Sequence, residues 1–431
     1  MALSVVILAA GQGTRMKSDT PKVLHEISGK PMLFHAIDAA LQLSDDITIV
    51  LYHKADMIQK KISNAYQNIK FHIQDVENFP GTGGAMKGIK TLHERTLILN
   101  GDMPLVSKGS LELLSKGNDD INMSIIELYD PSGYGRVLID NDKIQKIVEQ
   151  KDCTQKQLEV NSVNAGVYCV SKRVLDEYIP RLNNHNTQKE YYLTDIVEMA
   201  VADNRVVSPI VVKEEEFKGV NSKLDLAEAE IIMQNRIKKE LMMSGISMRF
   251  PSTIYIDSRA TFEGECMLEN GVTVIGACKI IKSHIKSHSV IEESHIENSS
   301  AGPFARIRPR TKLINTHIGN FVELKNSTLY GAKAGHLSYI GDSDIAQGSN
   351  IGAGVITCNY DGKAKYQTKI GKNVFVGSDS QLIAPVTIED DVIIAAGSTV
   401  TKDISKGSLA ISRAPMKSVS GFFYKFFGKG K

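Results

Sequence analysis

An unbroken six-residue spacing of aliphatic residues in the last part of this 431-residue chain limits its fold more than any other feature. The series consists of Ile370, Val376, Leu382, Ile388, Ile394 and Val400. A period of six fits neither a helix nor an ordinary strand face, but it suits a β-solenoid with three flat sides and one aliphatic position on each. The spacing therefore predicts a solenoid of hexapeptide repeats.

The hexapeptide pattern also occurs upstream, where it is less regular. The segments "IGNFVEL", "IGDSDI" and "IGAGVI" repeat the theme with slips. Residues 325–339 and 357–368 break it, so we predict loops or departures from the coil there. A solenoid leaves its flat sides and an open end uncovered, and caps or further copies of the chain must cover them. By resemblance to left-handed β-helix proteins, we expect a homotrimer.

The first half of the chain has a different pattern. Short apolar runs such as "SVVILAA", "ITIVLY" and "TLILNG" alternate with helical patterns, which predicts a mostly parallel α/β sheet. Ligands of such sheets gather at the carboxyl ends of the strands. Residues 222–244 lack Gly and Pro and place apolar residues at helical spacing. We predict that this helix links a domain of residues 1–221 to a domain of residues 245–431; the alternative is a last helix of the first domain.

Charge and cysteine content exclude several classes of protein. Lys and Arg number 51 and Asp and Glu 49, so no overall basic field attracts the chain to nucleic acid. The five cysteines include no C-x-x-C pair, which favours reduced thiols in a cytoplasmic protein. No apolar run approaches the ~20 residues of a membrane span. The tail "GFFYKFFGKGK" either covers the solenoid end or a neighbouring subunit, or is partly disordered, or touches a membrane; membrane association is the interpretation we favour least.

The segment "LAAGQGTRMKSDTPK" directly follows the first predicted strand. Gly11 and Gly13 let the backbone come close to phosphates, and Arg15 and Lys22 bring two cations to the same loop. The segment matches neither G-x-G-x-x-G nor G-K-[ST], so by itself it indicates either a phosphate site or a simple turn. Asp102 ends the buried strand "TLILNGD", where a carboxylate either holds Mg²⁺ on a triphosphate or shapes a turn.

The pattern L-x-x-G-x-G-T-R-M-x(6)-P-K, intact from Leu8 to Lys22, resembles the signature of sugar-1-phosphate nucleotidyltransferases. The resemblance implies that the main chain and Arg15 hold UTP and that Asp102 and Asn221 bind Mg²⁺. Later motifs, "GTGGAM", "GYGRV", "VEQKD" and "NAGVY", follow in the same order. The nucleotide-binding residues implied are Leu8, Ala9, Ala10, Gly11, Gly13, Lys22, Gln74, Gly81 and Thr82. The sugar-phosphate residues implied are Gly135, Glu149, Asn164 and Asn221.

The order of the whole chain resembles one bacterial family, in which N-acetylglucosamine-1-phosphate uridyltransferase and glucosamine-1-phosphate acetyltransferase are combined. That resemblance implies a left-handed β-helix and two separate active sites that together make UDP-N-acetylglucosamine for cell wall and lipopolysaccharide synthesis. One site acetylates glucosamine-1-phosphate with acetyl-CoA. At the other, a phosphate oxygen of N-acetylglucosamine-1-phosphate attacks the α-phosphorus of UTP and releases pyrophosphate, with Arg15 and Lys22 stabilising the transition-state charge.

The segment "KAGHLSYIGD" contains His336, the candidate base for acetyl transfer. Acetylation of an amine requires a proton acceptor, and a neutral imidazole with a pKa near ~6.5 suits this task. A lone histidine is more often structural, and the family motif is what assigns the catalytic role. We expect Glu323 to orient the imidazole. The resemblance implies Arg308, Lys325, Tyr339 and Asn350 at the sugar phosphate and Ala353, Asn359, Tyr360, Ser378, Ala396 and Arg413 at acetyl-CoA.

Two alternatives come from other functional classes. A sugar-1-phosphate nucleotidyltransferase with a single activity would use the solenoid only for structure or regulation, and would have no reason to retain His336, Asn359 and Tyr360 together. A scaffold such as a translation-factor subunit would be expected to have lost Arg15, Lys22 or Asp102.

Overall fold

The computed structural model describes residues 2–117, 119–148 and 150–428. The chain divides into two compact units, Met1–Asn235 and Arg236–Lys431. The division falls inside a long helix, Lys223–Met243, which the sequence predicts over residues 222–244. Helix formation is confirmed, and Gly245 follows it with a φ of 102° that ends the helical backbone.

The first unit contains a nine-stranded sheet and a two-stranded hairpin. Its strands are β1 (Ser4–Leu8), β2 (Glu26–Ile27), β3 (Lys30–Pro31), β4 (Asp46–Leu51), β5 (Lys70–Ile73), β6 (Arg95–Asn100), β7 (Ile121–Glu127), β8 (Arg136–Asp140), β9 (Lys143–Val148), β10 (Ser162–Ser171) and β11 (Val207–Val211). Its helices are α1 (Met32–Leu41), α2 (Ala55–Ser63), α3 (Lys108–Ser115), α4 (Gln155–Leu158), α5 (Lys172–Tyr178), α6 (Asp195–Ala202), α7 (Glu214–Phe217) and the start of α8 (Lys223–Met243). Short 3-10 helices lie at Thr14–Met16, Lys22–Leu24, Gly84–Met86 and Gln150–Asp152.

The main sheet has the order β11-β7-β10-β6-β1-β4-β5. Strand β1 is parallel to both β4 and β6, whereas β10 is antiparallel to β6 and β7. Two buried apolar clusters form its core, because alternate side chains of β1 and its neighbours point to opposite faces. The carboxyl ends of β1 and β6 therefore meet at one edge, where the phosphate loop and Asp102 begin. The predicted α/β sheet is confirmed, but the sheet is mixed and not mostly parallel, because β10 runs against its neighbours and β8 against β9.

The second unit is a parallel β-helix with three sheets of ten, nine and eight strands. Its strands are β12 (Ser247–Met248), β13 (Tyr255–Ile256), β14 (Thr261–Glu263), β15 (Met267–Leu268), β16 (Thr273–Ile275), β17 (Lys279–Ile281), β18 (His284–Ile285), β19 (Val290–Glu292), β20 (His295–Glu297), β21 (Ser300–Ala301), β22 (Arg306–Ile307), β23 (Lys312–Ile314), β24 (His317–Asn320), β25 (Glu323–Lys325), β26 (Thr328–Tyr330), β27 (Lys333–His336), β28 (Tyr339–Gly341), β29 (Ser343–Ile345), β30 (Asn350–Ile351), β31 (Ile356–Cys358), β32 (Thr368–Ile370), β33 (Phe375–Val376), β34 (Gln381–Ile383), β35 (Val386–Ile388), β36 (Ile393–Ile394), β37 (Thr399–Val400) and β38 (Leu409–Ala410). A 3-10 helix lies at Pro251–Thr253 and a last helix, α9, at Phe422–Phe426.

The six regularly spaced aliphatic residues form stacks inside this coil. Strand pairing places Ile370 beside Ile388, which follows it three hexads later in the chain. The other two sheets contain equivalent pairs with the same separation. The further pairs are Val376 with Ile394 and Leu382 with Val400. All six side chains are buried, so each turn contributes one aliphatic group from each side to a continuous core. The hexapeptide prediction is confirmed.

The two irregular segments behave differently from each other. Residues 325–339 stay in the coil, so the prediction of a loop there is wrong: β26 and β27 continue the sheets. The inward residues Leu324, Leu329 and Ala334 are separated by steps of five, and the shortened steps hide the repeat in the sequence. Residues 357–368 do leave the coil after Cys358, as predicted, and the chain returns at β32.

The structure also describes the cysteines, the helices and the tail, for which the sequence predicts reduced thiols, no membrane span and a cover for the solenoid end or a neighbouring subunit. All five cysteines lie within the described residues and are free thiols. None of the described helices has both the length and the apolar character needed to cross a membrane. The tail forms α9, in which aromatic rings such as Phe423 and Phe427 contact each other with centroids 4.8 Å apart. These rings are more than half exposed, so they do not bury against the solenoid of their own chain.

Candidate active sites

Four polar side chains meet at the carboxyl edge of the sheet in the first unit. The Nζ atom of Lys22 lies 2.5 Å from Oδ2 of Asp102 and 3.0 Å from Oδ1 of Asn221. Nη2 of Arg15 donates to the same Asn221 oxygen at 2.8 Å. One carboxylate thus faces two cations, and the remaining positive charge favours an anionic ligand.

Neighbouring strands and a helix cap bring this cluster together. Lys22 belongs to the loop after β1, and Asp102 follows β6, the parallel neighbour of β1. Asn221 precedes α8, where the main-chain NH of Ser222 donates to Asp225 at 2.9 Å and the NH of Asp225 donates back to the Ser222 hydroxyl at 3.2 Å. Asp225 also accepts from the main-chain NH of Asn221 at 3.0 Å. Burial opposes ionisation of Asp225, but these hydrogen bonds outweigh it and lower its pKa. Asp225 is absent from the predicted residues, although its S-x-x-D capping pattern is a readable signal.

Gly13 and Gly81 allow close approaches that other residues would block. Gly13 has a φ of 64°, and a Cβ there would lie 2.5 Å from the Cβ of Lys22. Gly81 has a φ of 92°, and a Cβ there would lie 2.6 Å from the carbonyl oxygen of Tyr191. Glycine tolerates both the left-handed backbone and the contact, so these positions fix the shape of the two loops.

A cavity of about 560 Å³ lies beside the phosphate loop. Among the predicted nucleotide-binding and metal-binding residues, it is lined by Leu8, Ala9, Ala10, Gly11, Lys22, Gln74, Gly81, Thr82 and Asp102. Gln74 is buried, and its side-chain amide donates to the carbonyl oxygens of Phe79 and Gly81 at 3.0 Å. The hydroxyl of Thr82 accepts from the NH of Leu193 at 3.1 Å. Both predicted side chains therefore also shape the walls of the cavity.

A second cavity of about 510 Å³ includes Asp102, Asn221 and the predicted sugar residue Asn164. The amide of Asn164 donates to the hydroxyl of Tyr168 at 2.6 Å, and its oxygen accepts from the NH of Gly166 at 2.8 Å. Burial raises the pKa of Tyr168 to about 12, so the phenol keeps its proton. Asn100 and Asp102 line both cavities, so the two cavities adjoin at the end of β6.

One other predicted sugar residue, Gly135, lies on the loop before β8. Gly135 follows Tyr134, which lines the second cavity. Arg136 is buried and donates to the carbonyl oxygens of Pro131, at 2.9 Å, and of Tyr134. This arginine holds the loop that carries Gly135. Glu149 lies outside the described residues.

The register of the β-helix places several predicted acetyl-transfer residues in one column. Strand pairing aligns Ala334, Ile351, Val376 and Ile394 on successive coils. The residues two positions after these are His336, Ala353, Ser378 and Ala396. Arg413 Nη1 donates to the carbonyl oxygen of Ala396 at 2.7 Å, which adds the last predicted member to the column. The candidate base and four of the six expected acetyl-CoA residues, Ala353, Ser378, Ala396 and Arg413, therefore share one side of the solenoid.

His336 is held by a side chain that the sequence did not indicate. Its Nδ1 atom lies 2.5 Å from Oδ1 of Asn320, which is its paired residue on the preceding coil. Glu323 instead accepts from Nη1 of Arg308 at 2.8 Å. The expectation that Glu323 orients the imidazole is therefore wrong, because Arg308, on the preceding coil, engages that carboxylate.

Cationic groups gather at the predicted phosphate end of this site. Strand pairing of Arg306 with Glu323 carries Arg308 next to Lys325. The pKa of Lys325 lies below its usual value because Lys365 is close enough to hydrogen-bond with it and adds a like charge. Lys365 comes from the segment that leaves the coil and is absent from the predicted residues. No spacing signal connects it to Lys325, since the loop alone brings the two together.

The predicted Tyr339 and Asn359 converge over Gly341. A Cβ on Gly341 would lie 2.6 Å from the hydroxyl of Tyr339 and 2.7 Å from Nδ2 of Asn359, so this glycine leaves room for both groups. Asp342 accepts a hydrogen bond from Asn359, and also one from Asn326 at 2.5 Å. These contacts fix the orientation of Asn359.

The remaining predicted residues lie on either side of this group. Asn350 stands between Lys333 and Phe375 in the strand register. Tyr360 is 59% exposed and its hydroxyl donates to the carbonyl oxygen of Gly362 at 2.7 Å. Tyr360 thus belongs to the surface of the excursion, where a ligand can reach it.

Comparison with known proteins identifies relatives over the full length of the chain. Residues 5–134 match the MobA-like NTP transferase domain, and residues 367–402 match the bacterial transferase hexapeptide repeats. The chain is 69% identical to the bifunctional protein GlmU of a Sulfurovum species, over 99% of this chain and 100% of that protein. Identity is 59% with the GlmU of a Nitratiruptor species and 56% with that of Wolinella succinogenes, in each case over 100% of both chains.

Solved structures resemble about half of the chain. HddC from Yersinia pseudotuberculosis is 25% identical, with a TM-score of 0.40 over 53% of this chain and 98% of that chain. The inositol-1-phosphate CTP transferase from T. maritima is 17% identical, with a TM-score of 0.42 over 52% of this chain and 91% of that chain.

The fold and the two sites define a two-domain transferase of small-molecule substrates, with a nucleotidyltransferase domain before a left-handed β-helix of hexapeptide repeats. Its relatives span both domains without interruption. The chain belongs to the family of bifunctional GlmU proteins. The family, the fold class and the assignment as a bifunctional enzyme, all expected from the sequence, are confirmed. The alternatives of a single activity and of a scaffold are not supported.

Proposed function

We propose that the chain makes UDP-N-acetylglucosamine in two reactions, acetyl transfer to glucosamine-1-phosphate and then uridylyl transfer to the product. The observation that carries this proposal is that one chain holds two separate polar clusters of the required chemistry. Lys22, Asp102 and Asn221 meet within hydrogen-bonding distance in the first unit. His336, which contacts Asn320, and the cations Arg308, Lys325 and Lys365 are the polar groups in the second.

For uridylyl transfer, we propose that the loop after β1 binds the triphosphate of UTP and that Arg15 and Lys22 stabilise negative charge on it. A phosphate oxygen of N-acetylglucosamine-1-phosphate forms a bond to the α-phosphorus, and the bond to pyrophosphate breaks. Arg15 and Lys22 form no covalent bond to the substrates, so they contribute by positioning the phosphates and neutralising their charge.

Mg²⁺ is the metal that this site fits best. Asp102 and Asn221 offer one carboxylate and one amide oxygen, and both converge on a single cationic group, the ammonium of Lys22. Mg²⁺ prefers a few such hard oxygens together with phosphate oxygens and water. When bound, Mg²⁺ would neutralise phosphate charge and polarise the α-phosphorus. Lys22 would then turn from Asp102 toward the phosphates.

For acetyl transfer, we propose that Nε2 of His336 accepts a proton from the amine of glucosamine-1-phosphate. The amine nitrogen forms a bond to the acetyl carbon, the bond from that carbon to the CoA sulfur breaks, and the thiolate leaves. Arg308, Lys325 and Lys365 would bind the sugar phosphate, because Glu323 pairs with Arg308 while the neighbouring ammonium groups of Lys325 and Lys365 repel each other until an anion binds. Tyr339 and Asn350 would hold the amino sugar. The residues that would line acetyl-CoA are Ala353, Asn359, Tyr360, Ser378, Ala396 and Arg413.

We further propose a homotrimer in the cytoplasm. Support comes from Phe375, Ile393 and Leu409, which stack in register on one sheet and are 51%, 52% and 61% exposed. An apolar stripe of this kind favours burial against another copy. Light scattering of the purified chain should give a mass of three chains, and a monomer at micromolar concentration would contradict the proposal.

The functional proposal is tested by supplying glucosamine-1-phosphate, acetyl-CoA, UTP and Mg²⁺ and following free thiol, pyrophosphate and UDP-N-acetylglucosamine. We expect all three products. Thiol without pyrophosphate would contradict the role of the first unit, and pyrophosphate formed only when N-acetylglucosamine-1-phosphate is supplied would contradict the role of the second.

A further inference from the structure

We infer that Asn320 is a positioning residue of the acetyl-transfer site, which holds the ring of His336 so that Nε2 is the nitrogen free to accept a proton. The inference deepens the proposed function and rests on His336 being the base. Its starting point is the distance of 2.5 Å between Oδ1 of Asn320 and Nδ1 of His336. Neither sequence spacing nor the family motif singles out this asparagine.

The hydrogen bond selects one form of the imidazole ring. An amide oxygen can only accept a hydrogen bond, so the Nδ1 atom that faces Asn320 must carry the proton. In a neutral ring the other nitrogen, Nε2, then keeps its lone pair. A base needs that lone pair at the nitrogen facing the substrate, and a ring in the other tautomer would offer a donor instead. Asn320 therefore determines which nitrogen of His336 can accept the proton.

The coil makes this contact rigid. The strands His317–Asn320 and Lys333–His336 are the two four-residue strands among the described strands of the solenoid. Their extra length is what allows Asn320 to pair directly with His336. The NH of Leu337 donates to the carbonyl oxygen of Asn320 at 3.1 Å, and the hydroxyl of Ser338 donates to the carbonyl oxygen of His336 at 2.9 Å. Main-chain and side-chain bonds thus hold both residues from two coils.

An amide suits this place better than a carboxylate. A carboxylate at Nδ1 would stabilise the protonated ring and keep the base charged at cellular pH. The titratable groups on neighbouring strands are His317 on the preceding coil, whose pKa is lowered by burial and by nearby lysines, and Lys333 on the same strand, while Asn350–Ile351 on the next coil carries none. A neutral Asn320 orients the ring without adding to these charges.

The test compares Asn320→Ala and Asn320→Asp with a matched control, Ser300→Ala. The Ser300 hydroxyl lies 2.7 Å from Nδ1 of His317, so the control removes the same kind of contact from a histidine outside the proposed site. Each full-length variant is assayed for acetyl transfer from pH 5 to 9, for uridylyl transfer, and for its thermal unfolding midpoint.

We expect Asn320→Ala to lower kcat for acetyl transfer about 10- to 100-fold, with KM for glucosamine-1-phosphate changed less than about twofold. Asn320→Asp should keep part of the activity and move the acidic limb of the pH profile upward by about one unit. Ser300→Ala should match the unmodified protein. A normal profile for Asn320→Asp, or an Asn320→Ala that behaves like Ser300→Ala, would overturn the inference. If Asn320→Ala does not fold, the Asn320→Asp profile decides. An active His336→Ala protein would instead refute the proposed base itself.

Discussion

The two candidate sites of this chain are assembled in opposite ways. In the first unit, the polar groups come from loops beyond the ends of parallel strands, and Lys22 meets partners 80 and 199 positions away in the chain. In the second, the groups stand on the strands themselves, and His336 meets a partner 16 positions away, one coil earlier. One site is thus built by the topology of a sheet and the other by the register of a repeat.

The difference separates what each site depends on. The first site balances a carboxylate against two cations, so changes of charge should affect it most. The second places its base and its cations through backbone pairing between coils, so loss of a hydrogen-bond partner or of the stacked core should affect it most. A substitution in one unit should therefore leave the activity of the other unit unchanged.

The largest effects are expected from the two groups nearest the chemistry. His336→Ala should lower acetyl transfer about 10²- to 10⁴-fold, since the base is lost, and should leave uridylyl transfer within about twofold. Asp102→Asn should do the reverse. Thiol release and pyrophosphate release measure the two activities separately, with His317→Ala as the control. A variant that lowers both activities while remaining folded would refute the separation of the sites.

Lys22→Ala should have the next largest effect, with opposite signs in two measurements. Uridylyl transfer should fall about 10²- to 10³-fold because a phosphate-stabilising cation is lost. Divalent cation binding to the protein without nucleotide should become at least about tenfold tighter, because the ammonium no longer competes for the oxygens of Asp102 and Asn221. Isothermal titration with Mn²⁺ measures the affinity, and Lys60→Ala, on an exposed helix position, is the control. Unchanged metal affinity would show that the ammonium does not hold the cation position.

Two adjacent isoleucines separate the core of the solenoid from its surface. Ile394 is fully buried in the stack, whereas Ile393 is 52% exposed. Ile394→Ala should lower the free energy of unfolding by about 2–5 kcal/mol, because it leaves a cavity. Ile393→Ala should change the unfolding of the subunit little but weaken its association. Denaturant titration and light scattering distinguish these results, and equal losses of stability would contradict the inside–outside assignment.

A smaller effect is expected from acid. Burial opposes ionisation of Asp257, which is 1% exposed, but hydrogen bonds from Arg259 and from the NH of Gly276 outweigh it and lower its pKa. A carboxyl whose pKa is lower in the folded state adds stability above its unfolded pKa near ~3.9, and this is lost as the pH falls through the folded value. Asp257→Asn should cost about 1–3 kcal/mol at neutral pH and flatten the acid side of the stability curve. An unchanged acid dependence in unfolding titrations would contradict this assignment.

The sequence predicts correctly the parts of the fold that depend on the spacing of residues close together in the chain. The six-residue period predicts the coil because each turn is formed by residues that are close together in the sequence. Apolar residues at helical spacing, without Gly or Pro, predict the helix Lys223–Met243. The phosphate loop and Asp102 were found because they directly follow apolar strands. These features need no knowledge of which segments meet in space.

The remaining features depend on contacts that no spacing encodes. The pattern of residues 325–339 predicts a loop, and this is wrong. The inward side chains are five residues apart there, so the six-residue repeat is hidden although the backbone continues the coil. We expect Glu323 to orient the imidazole of His336, but strand register places Asn320 at the imidazole and Arg308 at Glu323. Lys365 reaches Lys325 only through the excursion from the coil. Register over one turn must be known before such partners can be named.

Mixing two variants that each lack one activity tests most directly whether one chain carries two independent active sites. His336→Ala and Asp102→Asn proteins are each incubated with glucosamine-1-phosphate, acetyl-CoA, UTP and Mg²⁺, and then together, and UDP-N-acetylglucosamine is measured. We predict that neither variant makes it alone and that the mixture does, because N-acetylglucosamine-1-phosphate made by Asp102→Asn can be used by His336→Ala. A mixture that stays inactive, although each variant retains its other activity, would contradict the account.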